Sequence, residues 1–164
     1  MDVFWQELTF GVPNSSEWAR IIIRLTAATL FGAAIGMQRE KWGKPAGLRT
    51  HILVAVGTAL FVMTSSVYGM TSEGLSRVIQ GIVTGIGFIG AGSILKLEKK
   101  RDIQGLTTAA GVWMTSAIGV TVGLGSLGLA LLATILTLII LTVAGRFEFM
   151  TNRNQTEDDK KTAD

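Results

Sequence analysis

The sequence predicts an all-α integral membrane protein with five transmembrane helices. Of the 164 residues, 48% are hydrophobic and only 16% are charged, whereas soluble domains carry about 25% charged residues. Five apolar runs are each long enough to cross roughly 30 Å of hydrocarbon. Five of the thirteen residues from Gln80 to Gly92 are glycine, a composition that suits a membrane helix in close contact with another helix.

The chain divides into three predicted parts. Residues 1–20 form an interfacial segment, because aromatic side chains among acidic and polar residues are typical of the membrane–water boundary. Residues 21–145 form the transmembrane domain, and residues 146–164 form a polar cytoplasmic tail that we expect to be disordered. Within the domain the spans cover residues 21–38, 52–68, 78–95, 105–122 and 127–144.

The composition of the spans differs along the chain. The first span is just long enough to cross, and a polar loop separates it from the second. The third is the glycine-rich segment, interpreted as the packed centre of the bundle. The fourth is rich in Thr, Ala and Gly, and the fifth is almost purely aliphatic, which indicates a lipid-facing helix.

The basic residues predict an amino terminus outside the cell and a carboxyl terminus in the cytoplasm. Twelve lie on one side of the spans and three on the other, and cytoplasmic segments carry the excess of Lys and Arg. The cytoplasmic set is Arg39, Lys41, Lys44, Arg49, Lys96, Lys99, Lys100, Arg101, Arg146, Arg153, Lys160 and Lys161, and the outer set is Arg20, Arg24 and Arg77.

A short internal similarity predicts a parallel repeat. AGLRT at residues 46–50 opens the second span, and QGLTT at residues 104–108 opens the fourth. Spans one and two would then match spans three and four about an axis along the membrane normal, with the fifth span added. The alternative is a chance likeness of five residues.

Glycines spaced for helix contact predict both packing within the chain and association into a homo-oligomer. Residues four apart share a helix face, and small residues there let two backbones approach closely. A leucine at Gly85 is accordingly expected to disrupt folding or assembly. The predicted packing residues are Gly32, Gly36, Gly81, Gly85, Gly87, Gly90, Gly92, Gly119 and Gly123.

The two Gly-Leu-x-Thr segments are the strongest site candidates. Thr50, Thr107 or Thr108 could cap a helix start whose positive end suits an anion. Basic side chains nearby, Arg39, Arg49 and His51, would add positive charge. The alternative is that the threonines only cap and the arginines only anchor the spans.

A metal or catalytic centre has little support in the sequence. There is no cysteine and one histidine, no nucleophile–base pair is evident, and no Asp or Glu lies within a span. Mg²⁺ usually takes one or two carboxylates, and the nearest are Glu40 and Glu73. A Mg²⁺ path would need carbonyls, hydroxyls and Gln80 around the hydrated ion. We expect no enzyme, no cofactor and no nucleic-acid partner, with Mg²⁺ open as ligand or cargo and the metal site unknown.

Several motifs resemble the MgtC/SapB family in order and spacing, from about residue 20 to residue 145. They are Arg39-Glu40, Ala46-Gly47-Leu48-Arg49-Thr50-His51, the run GIGFIGAG at residues 85–92, and Gly105-Leu106-Thr107-Thr108-Ala109-Ala110 with Trp113 and Ala117-Ile118-Gly119. The resemblance makes functional candidates of Arg39, Glu40, Gly47, Arg49, Thr50, His51, Arg77, Gln80, Thr107 and Thr108.

The resemblance implies a bacterial protein of the cytoplasmic membrane that is associated with magnesium homeostasis. The best-known member is a virulence factor held to act on the proton-translocating ATP synthase. Only the tail follows the fifth span, where MgtC-like members often carry an ACT-like domain, so the short SapB-like branch is implied. Family members tend to have an Asp shortly before the arginine that opens the third span. Here Glu73 stands one residue further from Arg77.

Two functions therefore stay open. The first is a non-enzymatic membrane protein that supports magnesium homeostasis by transporting or sensing Mg²⁺. The second is an interaction protein whose glycine faces bind another membrane complex, with the ATP synthase suggested by the family.

Overall fold

The computed structural model describes residues 2–9, 15–97 and 102–161 and forms a bundle of α-helices with one small β-hairpin. The helices are α1 (Asp2–Thr9), α2 (Ser15–Lys41), α3 (Leu48–Val67), α4 (Ser72–Gly92), α5 (Leu106–Gly123) and α6 (Leu127–Lys161). The hairpin pairs β1 (Leu95–Leu97) with antiparallel β2 (Asp102–Gln104).

The prediction of an all-α membrane protein is confirmed. Helices α2 to α5 are long and apolar enough to cross a membrane, and α6 begins with a shorter apolar stretch, Leu127–Val143. All five predicted spans therefore appear as helices α2 to α6, and α2 begins at Ser15, inside the predicted interfacial segment. The orientation in the membrane stays a prediction.

Two segments for which the sequence predicted no secondary structure contain regular secondary structure. The segment that joins the third and fourth predicted spans forms β1 and β2, although the basic residues Lys99, Lys100 and Arg101 in it lie outside the described residues. The prediction that the tail is disordered is wrong for residues 146–161, because α6 continues as a helix to Lys161. The apolar stretch ends at Val143, but the helical backbone continues without a break into the polar residues that follow.

Helices α2, α3 and α5 form the packed centre of the bundle. Half of the most apolar stretch of α5 is buried, against 11% in α4, so the prediction that the glycine-rich third span is the centre is wrong for a single chain. The buried core joins four helices through Ala28, Ile35, Ala55, Ala59, Ile118, Val122, Ala130 and Leu141.

Glycine permits the close approach of α2, α3 and α5. A Cβ atom on Gly36 would lie 2.6 Å from Leu48 Cα, and one on Gly123 would lie 2.8 Å from the Ala59 carbonyl oxygen. Gly32 and Gly119 are equally confined against α3, and Gly90 lies in ordinary contact with Ala109 of α5.

The other glycines of α4 behave differently from the prediction. Nothing in the described chain lies within 4 Å of a Cβ placed on Gly81, Gly85, Gly87 or Gly92. Their predicted packing role is therefore wrong within one chain. Spacing alone could not distinguish an internal glycine face from one that is left open.

The starts of α3 and α5 bring the two similar segments into comparable places. Gly47 and Gly105 are the residues before the first turn of α3 and α5. Gly105 has a φ of 96°, and a Cβ there would overlap the Ser93 carbonyl, so this turn requires glycine. Gly47 has a φ of −104°. The two caps differ in conformation, and the parallel repeat stays a prediction.

Candidate functional site

A buried arginine joins the end of α2 to the start of α5. Arg39 is only 3% exposed, and its Nη2 donates a hydrogen bond of 2.9 Å to Thr108 Oγ1. The last turn of α2 suits a cation, because unsatisfied carbonyls give that end a partial negative charge. A guanidinium stays charged at any pH of interest. The bundle therefore holds a fixed positive charge at the end where α3 and α5 begin.

The single histidine is buried beside this arginine. His51 is 0% exposed in the first turns of α3, and its Nδ1 lies 2.7 Å from Thr115 Oγ1 of α5. Thr115 Oγ1 also donates to the Gly111 carbonyl of its own helix at 2.9 Å. Arg39 is the charged neighbour of the ring, and the Ala46 backbone is a polar one. Among the described atoms, Nε2 has no hydrogen-bond partner.

Arg39, His51, Thr108 and Thr115 are called the Arg–His cluster below. Its members come from α2, α3 and α5, the three helices that form the packed centre. Each hydrogen bond between side chains in the cluster has one partner on α5, so the cluster fixes α2 and α3 relative to that helix. A change at Thr108 would affect the contact between α2 and α5, and a change at Thr115 the contact between α3 and α5.

Glu40 has a separate role beside the cluster. Its Oε2 accepts a hydrogen bond of 2.9 Å from the Leu48 backbone N–H, the first residue of α3. A carboxylate at this helix end is favoured by the partial positive charge of the free N–H groups. A Cβ on Gly47 would lie 3.0 Å from the same oxygen, so the glycine makes room for the contact. The predicted anion position at the start of α3 is thus occupied by the chain's own carboxylate.

The predicted threonine caps are wrong. Gly47 and Gly105 are the N-caps of α3 and α5, and neither helix has a side-chain cap hydrogen bond. Thr108 accepts from Arg39 instead, Thr107 is exposed, and Thr50 is half-buried. The motif fixes where each helix begins, but glycine rather than threonine occupies the capping position.

The remaining candidates do not join the cluster. Arg49 is exposed on the first turn of α3. Arg77 pairs with Glu73 at 2.8 Å on the surface of α4, with side chains 76% and 77% exposed. Gln80 is also exposed on α4. The structure therefore brings together Arg39, His51 and Thr108, with Glu40 and Gly47 alongside.

Thr115 was not selected from the sequence. It lies seven residues after Thr108, two turns along the same helix, and therefore on the same face. This spacing was readable, but the face of α5 that meets α3 could not be identified without the fold. Among the described residues, no group of three acidic, histidine or cysteine side chains could hold a metal ion.

Arg24 occupies the opposite end of the bundle. Its Nη1 donates a hydrogen bond of 2.8 Å to the Gly123 carbonyl, the last residue of α5. The sequence placed Arg24 only in the outer set of basic residues. The contact instead places a cation at the carbonyl end of α5, where the helix dipole favours it. The polar cavities beside it measure about 240 and 190 Å³.

Comparison with known proteins gives the chain its family. Residues 25–150 match the MgtC family. The chain is 44% identical over 144 residues to YhiD of Escherichia coli K12, whose name gives it provisionally as a magnesium transporter, covering 83% of this chain and 66% of that protein. It is 43% identical over 137 residues to SrpB of Synechococcus elongatus, covering 77% and 75%.

The similarity to Salmonella typhimurium MgtC is 45% over 117 residues, covering 71% of this chain and 49% of MgtC. The match thus spans just under two thirds of YhiD and about half of MgtC. No solved structure matches the chain. The similar motifs, the family match and the membrane helices agree with one another, and the chain belongs to the MgtC family of membrane proteins.

Proposed function

We propose that this chain is a non-enzymatic protein of the bacterial cytoplasmic membrane that supports magnesium homeostasis. We also propose that the Arg–His cluster is its functional site. Family membership and the name of YhiD support the magnesium role. The observation that carries the site is the burial of Arg39 at 3% exposure, bonded to Thr108 across two helices. Burying a charge is costly, by several kcal/mol per ion.

The chemistry of the bundle interior favours action on a partner over conduction of Mg²⁺ between its helices. Among the described residues, the buried polar side chains are one arginine, one histidine and seven hydroxyls. Mg²⁺ is held mainly by carboxylates and retained waters, and a fixed guanidinium repels it. A partner complex would respond to the arrangement of α2, α3 and α5 that the cluster sets. The family resemblance suggests the proton-translocating ATP synthase as that complex.

Transport or sensing of Mg²⁺ is the second candidate, with one specific observation in its favour. Ser76, Gln80 and Thr84 offer hydroxyl and amide oxygens along one side of α4. Such oxygens could line a path for hydrated Mg²⁺ if α4 faced an aqueous channel in an assembly. This path would avoid the Arg–His cluster altogether.

Growth at limiting Mg²⁺ tests the proposed site. The chain would be expressed in a bacterial strain without its own MgtC-family genes, and compared with Arg39→Gln, Arg39→Lys and Arg49→Gln variants at matched membrane levels. We expect growth support from the wild type and Arg49→Gln, loss in Arg39→Gln, and partial retention in Arg39→Lys, because lysine keeps the charge but not the planar fork. Equal growth with the wild type and the three variants would refute the proposal that the Arg–His cluster is the functional site.

A further inference from the structure

The outward face of α4 mixes polar and small side chains with the exposed Val83, and it is less apolar than the exposed face of α6. Ser76, Gln80, Thr84, Gly87 and Ala91 are all exposed, and their spacing of three or four residues keeps them on one side of the helix. The exposed face of α6 shows what lipid contact looks like in this chain. It consists of large aliphatic side chains, including Leu129, Leu132, Leu136, Ile139 and Ile140.

A furrow of about 420 Å³ runs along this face, and one helix supplies all of its walls. Its seven lining residues are Ser72, Leu75, Ser76, Ile79, Gln80, Val83 and Thr84, every one from α4. No other described part of the chain closes the furrow. Within the described chain the furrow is therefore open on its outer side.

Gln80 places an exposed polar amide on this face of α4. Its side-chain amide carries two donors and an acceptor oxygen, and no described residue bonds to it. Gln80 lies two residues inside the predicted third span, which begins at residue 78, so its amide lies near the outer edge of the hydrocarbon layer. A polar group that turns toward lipid there without a partner is costly.

We propose that the outward face of α4 is the interface of a two-fold symmetric dimer of this chain. Two copies in one membrane share the same orientation, so a two-fold axis along the membrane normal brings each residue near its own equivalent. Glutamine is its own complement, since the amide of one copy can donate to the oxygen of the other. The inference does not depend on the magnesium role proposed above.

The charges on α4 are also self-complementary. Glu73 and Arg77 lie on the same exposed side of the helix end, joined at 2.8 Å. Because each copy carries this neutral pair, two copies bring no net charge from it to the interface, whereas a face of one charge would repel itself. A partner of different sequence would need a matched pattern, but a second copy has it by symmetry.

The residues of the face also indicate how the two helices cross. Ser72, Ser76, Gln80 and Thr84 repeat every four residues, the spacing that packs two helices in a right-handed pair at roughly −40°. Gly87 has nothing within 4 Å of a Cβ position, so the second helix can approach closely at that point. The small side chain of Ala91 extends this surface.

Single cysteines test the interface directly, because the chain contains no cysteine of its own. The full chain would carry Ser76→Cys or Thr84→Cys on the proposed face, Ile89→Cys on the other side of α4, or Leu132→Cys on α6. Oxidation in native membranes joins only cysteines whose Cβ atoms come within about 4.5 Å. We expect disulfide dimers at positions 76 and 84, at least tenfold above those at 89 and 132.

A second substitution tests the role of the amide. Adding Gln80→Leu to Thr84→Cys should lower dimer yield about three- to tenfold, as loss of one interhelical hydrogen bond predicts, and Gln80→Asn should lower it less. Gel filtration of the reduced proteins checks that each variant is folded. Cross-linking at Ile89 alone, cross-linking to a different protein, or single-copy particles by photobleaching in nanodiscs would each overturn the proposal.

Discussion

Arg39 donates a hydrogen bond to Thr108 although 69 residues separate them in the chain. The bond joins the last turn of α2 to the first turn of α5 inside the bundle. Beside it, His51 of α3 contacts Thr115 of α5. The two contacts make α5 the common partner of both neighbouring helices.

Thr108→Val should destabilise the bundle by about 1–3 kcal/mol, because a buried guanidinium N–H would lose its acceptor. The free energy of unfolding in mixed micelles measures the effect. Thr107→Val is the matched control, since Thr107 is exposed on the same turn. Equal stability of the two variants would contradict the importance of the Arg39 contact.

The neutral His51 ring should carry its proton on Nδ1. Thr115 gives its hydroxyl proton to the Gly111 carbonyl, so its oxygen is left to accept from Nδ1–H. The chain has one histidine, and the ¹⁵N spectrum of the labelled imidazole therefore reports this ring alone. A ring protonated on Nε2 would contradict this assignment, because Thr115 Oγ1 would then have to donate to Nδ1 instead of to the Gly111 carbonyl.

Much of the fold was predictable from the sequence, and the reasons are physical. Apolar runs of bilayer length predicted helices at all five places, because an α-helix satisfies its backbone polar groups within its own segment. The motif around Arg39, His51 and Thr108 identified three members of the cluster. The sequence could not show which of these side chains are buried, however, because charged and hydroxyl residues occur in similar patterns at buried and exposed helix ends. Arg39 and Arg49 illustrate this, since only the first is buried.

The glycines also show that the sequence alone does not reveal which positions are buried. Gly36 and Gly85 have similar sequence surroundings, yet one is pressed against Leu48 and the other faces open space. Spacing predicts that a glycine face can be approached. It does not say whether the approaching helix belongs to the same chain.

Gly36→Ala and Gly85→Ala should therefore differ in stability. The first places a methyl group 2.6 Å from Leu48 Cα, and overpacking of this kind costs about 1–3 kcal/mol. The second meets nothing within 4 Å and gains helix propensity, so its unfolding free energy should be unchanged or slightly higher. Mixed-micelle unfolding compares them, and a larger loss for Gly85→Ala would contradict the described packing.

Glu40→Ala should lower the unfolding free energy by about 1 kcal/mol, because α3 loses a carboxylate that accepts from its first N–H. Glu73→Ala is the control. It removes an acidic group from an exposed ion pair, and such pairs contribute little. The interpretation of Glu40 as a helix cap would be wrong if both substitutions had the same small effect.

Mg²⁺ flux into proteoliposomes containing the purified protein tests the proposed mode of action most directly. Because the buried charge of the described bundle is the Arg39 guanidinium, we expect no flux above empty liposomes from folded protein, in the wild type and in Gln80→Leu and Glu40→Ala alike. Flux that saturates with Mg²⁺ and falls in Gln80→Leu would contradict it, and would place an ion path along α4.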